Sequence, residues 1–319
     1  MPYTLTIKKN NRHALTLSLL GLLLLGLMTA SLATGAIAVS VADMLTVVFQ
    51  QLGLAGDVET DMTTQVVLLD IRLPRLLFTV LIGASLGLSG AALQGLFRNP
   101  LVEPGIIGIS SGSALGAIVV IMFIGTIFPA IAEQFQSYLL PFFAFLGGLM
   151  ATIVTLKMSQ AEGKTHITYL ILAGVAIGAL SGAAIGLAIF YADDSQLRSY
   201  TFWTLGDLSV ASWEKLGILS PIIALAVVGL LAVARPLNAI ALGEAEAYHS
   251  GVAVEKVKLT IVLLSALAVG SSVAFAGIIG FIGLIVPHIV RISFSSDQRL
   301  VLPASALGGA CLLLLADML

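Results

Sequence analysis

The chain has 319 residues, of which 58% are hydrophobic and 10% are charged, and its formal net charge is −2. Because soluble domains carry roughly 25% charged residues, this composition excludes a soluble globule and indicates an integral membrane protein. The apolar runs are continuous rather than alternating, which argues against a transmembrane β-barrel. The single cysteine, Cys311, excludes an intrachain disulfide.

Apolar segments follow one another along the chain, and they predict an all-α, polytopic membrane bundle that forms a single domain over residues 1–319. They span residues 14–35, 73–96, 106–127, 139–156, 168–190, 216–234, 259–276, 281–290 and 302–316. A helix needs roughly 20 residues to cross the hydrocarbon core, so 281–290 is a shorter piece. We interpret the first segment as a retained helix, with a signal peptide cleaved near 36–38 as the alternative.

The basic residues of the loops predict how the bundle is oriented. With a cytoplasmic N-terminus, strict alternation of the segments leaves most of the 15 lysines and arginines inside. The inside set is Lys8, Lys9, Arg12, Arg98, Lys157, Lys164, Arg235, Lys256, Lys258, Arg291 and Arg299. The outside set is Arg72, Arg75, Arg198 and Lys215. This asymmetry follows the positive-inside rule and predicts a cytoplasmic N-terminus.

Arg72 and Arg75 are exceptions to that rule at the outer end of the second segment. Pro74 lies between them and is typical of a first helical turn, so a helix start is expected here. Arginines three residues apart share one helix face. They either snorkel to outer headgroups or form a docking pair for carboxylates of an extracytoplasmic protein, which a planar guanidinium binds well.

The loop at 235–258 is a long charged interruption between two apolar spans. Gly243 and Gly251 bracket a run of good helix formers, which predicts a short helix too polar to enter the bilayer. That run begins with Glu244, Ala245, Glu246 and Ala247. The loop is either an ordinary solvated connection or a surface offered to a soluble partner.

Glycines recur every four residues along the fifth segment and lay a smooth stripe on one helix face. They are Gly174, Gly178, Gly182 and Gly186. Such a stripe either packs against a neighbour or borders a pathway, and packing is the commoner use. Pro100 and Pro104 precede the third segment and predict an irregular start to it.

Ionisable side chains are almost absent from the predicted spans, with His288 as the exception. Proton-coupled transporters hold carboxylates or histidines at mid-membrane, so the driving force is expected from elsewhere. His288 follows Pro287, and we interpret it as a structural residue rather than a relay or a haem ligand. Met158 stands where a phosphate-binding loop ending at 163–165 needs its first glycine, so ATP binding by this chain is rejected. We expect no cofactor, no metal centre and no enzymatic activity.

Several motifs together resemble the FecCD family, the membrane subunits of type II ABC importers for cobalamin, ferric siderophores and haem. They are residues 72–75 (RLPR), 89–101 (SGAALQGLFRNPL), 108–112 (GISSG), 243–244 (GE) and 277–288 (GIIGFIGLIVPH). The resemblance implies a homodimer of ten-helix permeases in the inner membrane, with two ATPase subunits inside and a periplasmic binding protein outside. The family continues past residue 317 with a tenth helix, so about nine helices are expected here. Membrane lipid is expected around the bundle, and no nucleic acid.

The resemblance also implies roles for particular residues. It assigns ATPase coupling to Gly243, Glu244, Ala245, Glu246, Ala247 and Gly251, binding-protein docking to Arg72 and Arg75, and the pathway between two subunits to Gly174, Gly178, Gly182 and Gly186. The outer stretch 197–208 (LRSYTFWTLGDL) is similar to haem permeases, although its aromatic residues equally suit interfacial anchors. Haem is therefore the first expected ligand, before a ferric siderophore and cobalamin. An ion-coupled secondary transporter, which requires carboxylates within the spans, and a passive channel are the rival interpretations.

Overall fold

The computed structural model describes residues 2–35, 39–40, 42–44, 46–47, 61–124 and 135–319. Within these ranges the chain is helical except for loops and one small hairpin. The alternative cleavage site at 36–38 and the end of the third predicted segment, 125–127, lie outside the described residues.

The helices of the described ranges are labelled in chain order. They are α1 Pro2–Ala33, α2 Met62–Val66, α3 Leu73–Phe97, α4 Ile109–Val119, α5 Gln136–Ser159, α6 Ile167–Tyr191, α7 Asp194–Leu205, α8 Trp213–Ala232, α9 Ala234–Leu242, α10 Glu244–His249, α11 Val254–Ala276, α12 Ile282–Ser293 and α13 Gln298–Met318. A 3-10 turn, Pro104–Ile107, precedes α4, which confirms the predicted irregular start. Strands β1 (Gln160–Ala161) and β2 (Lys164–Thr165) pair antiparallel between α5 and α6.

Seven helices of the described ranges are long and apolar enough to cross a membrane, and α4 and α12 belong to two shorter apolar stretches. Together they occupy the nine predicted segments, so the all-α polytopic bundle is confirmed. The 12 residues of α12 span about 18 Å at 1.5 Å per residue, which is too short to cross the hydrocarbon core alone.

The second span begins earlier than the sequence predicts. Helix continues from Met62 through a π-helical turn, Val67–Arg72, into α3. The regular α-helix therefore starts at Leu73 with Pro74 in its first turn, as predicted, while the apolar span itself starts earlier. Proline lacks an N–H and clashes with the carbonyl four residues back in a regular α-helix. In the π-helical turn the Leu73 N–H instead bonds to the carbonyl of Leu68, five residues back, and this wider turn accommodates the proline.

Helix α3 is the centre of the bundle. In the most apolar part of the Met62–Phe97 span 78% of residues are buried, against 22% for α6 and 6% for α1. Gly83 and Gly87 face α13 so closely that a Cβ on either would collide with the backbone of Gly309 or Ser305. Small residues therefore set the distance between the two helices, as is usual where helices pack in lipid.

Two helices lie in stretches that the sequence analysis leaves as loops. Helix α7 begins with a capping box in which Asp193 accepts from the Gln196 N–H at 2.8 Å and Gln196 accepts from the Asp193 N–H at 3.1 Å. Helix α9 is amphipathic and fully buries Leu237 and Ile240. Neither stretch has the continuous hydropathy that reveals a span, so apolar run length alone misses both.

Candidate functional site

The α10 segment, residues 243–251, forms an exposed projection at one end of the bundle. Gly243 and Gly251 have φ angles of +149° and +83°, which favour glycine, and they allow the chain to turn on either side of the helix. Ala247 is 1% exposed and anchors the helix, whereas Tyr248 is 72% exposed. The predicted short helix between two glycines is confirmed, and Glu246 on it is exposed.

Glu244, at the start of α10, is bonded to a buried lysine of α11. Lys258 Nζ donates to Glu244 Oε2 at 2.7 Å, to Glu255 Oε1 at 2.9 Å and to the Thr165 carbonyl at 2.8 Å. The second oxygen of Glu255 accepts from the Thr165 N–H at 2.8 Å. We call these four residues the Lys258 cluster.

Lys258 is the only charged residue in the buried class within the described ranges, at 3% exposed. Burial of an ammonium group is tolerated because each of its three N–H groups finds an oxygen. Sequence reasoning treats Lys258 only as one of the inside charges. The spacing of Glu255 and Lys258 is a local signal for their pairing, whereas the contacts to Glu244 and Thr165 are long-range and leave no pattern in the sequence.

The arginine pair, Arg72 and Arg75, lies at the N-terminal end of α3. This helix has 25 residues and extends about 37 Å. Arg75 is already paired, because its Nη2 lies 2.7 Å from Asp317 Oδ1 and its Nε lies 3.1 Å from Asp317 Oδ2. Its side chain remains 43% exposed, while that of Asp317 is 7% exposed. Arg72 donates to the Leu32 carbonyl at 2.5 Å. Both arginines line a cleft of about 390 Å³, and the sequence analysis missed Asp317 as the residue that orients Arg75.

The glycine stripe of α6 divides into a packed half and an open half. A Cβ on Gly174 would collide with the backbone of Ile106, and one on Gly178 would lie 3.7 Å from Ser111 Oγ. A Cβ on Gly182 or Gly186 would meet nothing within 4 Å. Packing therefore explains the first glycine of the stripe, whereas the last two face open space in the single chain.

Helix α6 also borders an apolar groove of about 590 Å³ between α4, α5 and itself. Its lining includes Leu115, Met150 and Leu180, and Leu180 is 68% exposed. A helix with mean hydropathy of 2.2 and few buried residues must be covered by lipid or by another protein surface. The single chain leaves that surface of α6 uncovered.

A second polar cluster holds the short helix α12 against α3. Gln94 is 2% exposed, and its Nε2 donates to the carbonyls of Val102, Gly283 and Leu284 at 3.1 to 3.2 Å. Its Oε1 accepts from Arg291, which also donates to a carbonyl of α3 at 3.0 Å. One amide side chain thus ties three backbone segments and a cation together, and the sequence analysis assigned no such role to Gln94 or Arg291.

The aromatic stretch 197–208 belongs largely to α7. Trp203 contacts a small cluster of alanines from α4, α5 and α11, namely Ala117, Ala144 and Ala274. Tyr200 stacks on Trp203 with ring centroids 6.4 Å apart, and burial raises the pKa of its phenol. The ring of Trp203 lies against the bundle, and interfacial anchoring of the stretch stays an open interpretation.

Seven long apolar helices among the described residues indicate a multi-pass membrane protein. The chain belongs to the FecCD transport family, whose sequence profile matches residues 22–319. It is 46% identical over 254 residues to the hemin transport system permease protein HmuU of Yersinia pestis, covering 79% of this chain and 74% of that protein. It is 38% identical over 250 residues to the vitamin B12 import system permease protein BtuC of Vibrio cholerae, covering 78% and 73% respectively.

A solved structure described as an inward-facing conformation of a metal-chelate type ABC transporter has the same fold. The TM-score is 0.81 at 33% identity, and the match covers 95% of this chain and 89% of that chain. These relationships confirm the predicted family and make the chain a permease subunit of an ABC importer in the inner membrane, with ATP hydrolysis in a separate subunit. The roles of the α10 segment, the arginine pair and the glycine stripe stay predictions.

Proposed function

We propose that the protein is the permease of an ATP-driven importer that carries haem, or another iron chelate, from a periplasmic binding protein to the cytoplasm. The observation that carries the choice of ligand is the greater identity to the hemin permease, 46%, than to the vitamin B12 permease, 38%. A ferric siderophore ranks second and cobalamin third. We further propose that the working unit is a homodimer with two ATPase subunits.

The α10 segment is the proposed contact with each ATPase. Glu246 and Tyr248 are exposed on this segment, while Ala247 is buried against the bundle. A soluble protein can therefore bind the exposed side chains of the segment. If the apolar segments cross the membrane in strict alternation, most basic loop residues lie on the same side of the membrane as this segment. The positive-inside rule then supports a cytoplasmic location for the segment and a cytoplasmic N-terminus. The proposed contact residues are Gly243, Glu244, Ala245, Glu246, Ala247 and Gly251.

The arginine pair is the proposed docking site for the binding protein. Arg75 is held in one orientation by Asp317, yet nearly half of its side chain remains exposed to a second carboxylate. Arg72 borders the same cleft. Guanidinium groups in fixed positions suit carboxylates on a docking partner, because less side-chain entropy is lost when the complex forms.

The open half of the glycine stripe is the proposed wall of the pathway. Gly182 and Gly186 leave space beside an apolar, largely uncovered helix. A second copy of the chain facing this surface would enclose a smooth, uncharged passage. Such a passage binds a bulky ligand weakly, so release depends on conformational change rather than on affinity.

Purified permease, ATPase and binding protein in liposomes test this proposal. Haemin, a ferric siderophore and cyanocobalamin are offered separately, and each mixture is repeated without the ATPase and without the binding protein. We expect ATP-dependent uptake of haemin only in the complete mixture. Uptake of cobalamin in preference to haemin would contradict the ligand, and uptake without the ATPase would contradict the mechanism.

A further inference from the structure

The Lys258 cluster joins the neighbouring helices α10 and α11 to a hairpin that lies far from them in sequence. Glu244 begins α10, Glu255 and Lys258 lie in the first turns of α11, and Thr165 ends the β1–β2 hairpin, 93 positions before Lys258. Three of the four bonds converge on one ammonium group at 2.7 to 2.9 Å, and the fourth joins the Thr165 N–H to Glu255. The cluster is therefore a physical connection between the α10 segment and the hairpin.

The hairpin leads directly into α6. Thr165 is 6% exposed, and α6 begins at Ile167 after a single intervening residue. The His166 N–H bonds to the Ser159 carbonyl at 3.0 Å, which closes the base of the hairpin. A displacement of Thr165 must therefore move the first turn of α6, because no slack chain lies between them.

The bonds of the cluster resist being opened one at a time. A buried ammonium that loses an acceptor keeps its charge in a poorly solvating environment, which is unfavourable. Moving Glu244 away from Lys258 while Thr165 stays in place is thus costlier than moving both together. The low-energy response to a force on α10 is a joint displacement of α10, the start of α11 and the hairpin.

We propose that Lys258 is a positioning residue that transmits movement of the α10 segment to the start of α6. This inference rests on the proposed function, since it takes α10 as the surface on which the ATPase acts and α6 as the wall of the pathway. Transmission of the movement then depends on the contacts of Lys258 with Glu244, Glu255 and Thr165. The exposed surface of α10 serves only to bind the ATPase.

The first test compares Lys258→Met with Lys256→Met in the complete importer. Lys256 is exposed on the same helix and provides a matched loss of one positive charge. We expect Lys258→Met to retain bound ATPase, because Glu246 and Tyr248 are untouched, and to retain ATP hydrolysis. Ligand imported per ATP hydrolysed should fall by at least roughly tenfold, the factor expected from loss of even one of the three charge-assisted contacts that Lys258 makes. Lys256→Met should keep the wild-type ratio.

A second test does not depend on the folding of Lys258→Met. Hydrogen exchange of residues 160–167 is measured with and without bound ATPase, in wild type and in Glu255→Gln, which keeps the size of the side chain and lies outside the proposed ATPase contact. We expect ATPase binding to change exchange at 160–167 in the wild type and to change it much less in Glu255→Gln, with the change at 244–249 preserved in both.

The possible results separate the inference from the proposed function. A wild-type importer that shows no ATP-dependent uptake overturns both. A wild-type importer that works while Lys258→Met keeps its import per ATP overturns the inference alone, as does Lys258→Met that loses ATPase binding together with transport. An exchange response at 160–167 that is equal in wild type and Glu255→Gln also overturns it.

Discussion

Replacing Gln94 by leucine should destabilise the bundle strongly although the side chain keeps nearly the same volume. The two N–H groups of Nε2 would lose their carbonyl partners, each contributing about 0.6–1 kcal/mol in a membrane helix bundle. Arg291 would lose its side-chain acceptor, a charge-assisted bond that contributes about 1.5–3 kcal/mol. Together these losses predict a decrease in the free energy of unfolding of roughly 3–5 kcal/mol.

Equilibrium unfolding in mixed micelles measures this change. The matched control is Gln160→Leu, a substitution at an exposed position of the β1–β2 hairpin. A control of this kind on the surface should change stability by less than about 0.5 kcal/mol. A double-mutant cycle of Gln94→Leu with Arg291→Met should give a coupling energy of about 1.5–3 kcal/mol. A loss below about 1 kcal/mol for Gln94→Leu, or a coupling energy near zero, would refute the role given to this cluster.

Three further changes separate packing from function at the candidate site. Gly174→Leu should lower the free energy of unfolding by about 1–3 kcal/mol, because its Cβ collides with backbone. Gly182→Leu should have the unfolding free energy of the wild type but block ligand uptake. Equal unfolding free energies for the two variants would contradict the division of the glycine stripe into a packed half and an open half. Asp317→Asn should weaken binding-protein docking about two- to fivefold in a titration, because Arg75 is no longer held in one orientation, and unchanged affinity would contradict the docking role proposed for Arg75. Glu246→Arg should reduce co-purification of the ATPase at least about tenfold without affecting membrane insertion, and full co-purification would remove α10 from the interface.

The helices that cross the membrane could be predicted from the sequence because hydropathy over about 20 residues reflects a single physical requirement, namely burial in lipid. The short segment at 281–290 and the irregular start near Pro104 were predicted for the same kind of local reason. Helices α7 and α9 were not, because neither has the continuous hydropathy that marks a span. Pro74 marks the first turn of the regular α-helix, but the π-helical turn before it extends the same span further back along the chain.

The candidate site was predictable only where its signals are local. Three of its features form patterns in the sequence: the two glycines that flank residues 244–249, the two arginines three residues apart, and the glycines at four-residue spacing. The partners of those residues do not, since Lys258 reaches Thr165 across 93 positions and Arg75 reaches Asp317 across 242. Resemblance to the family supplied the proposed roles, while the structure supplied the contacts that constrain them.

The proposed importer draws its energy from nucleotide hydrolysis in another subunit rather than from an ion gradient. Its most direct test measures haemin accumulation by the complete importer in liposomes under two conditions: ATP with no ion gradient, and an imposed proton gradient with no ATP. The account predicts accumulation against a concentration gradient in the first condition and none in the second. Accumulation driven by the proton gradient alone would contradict it.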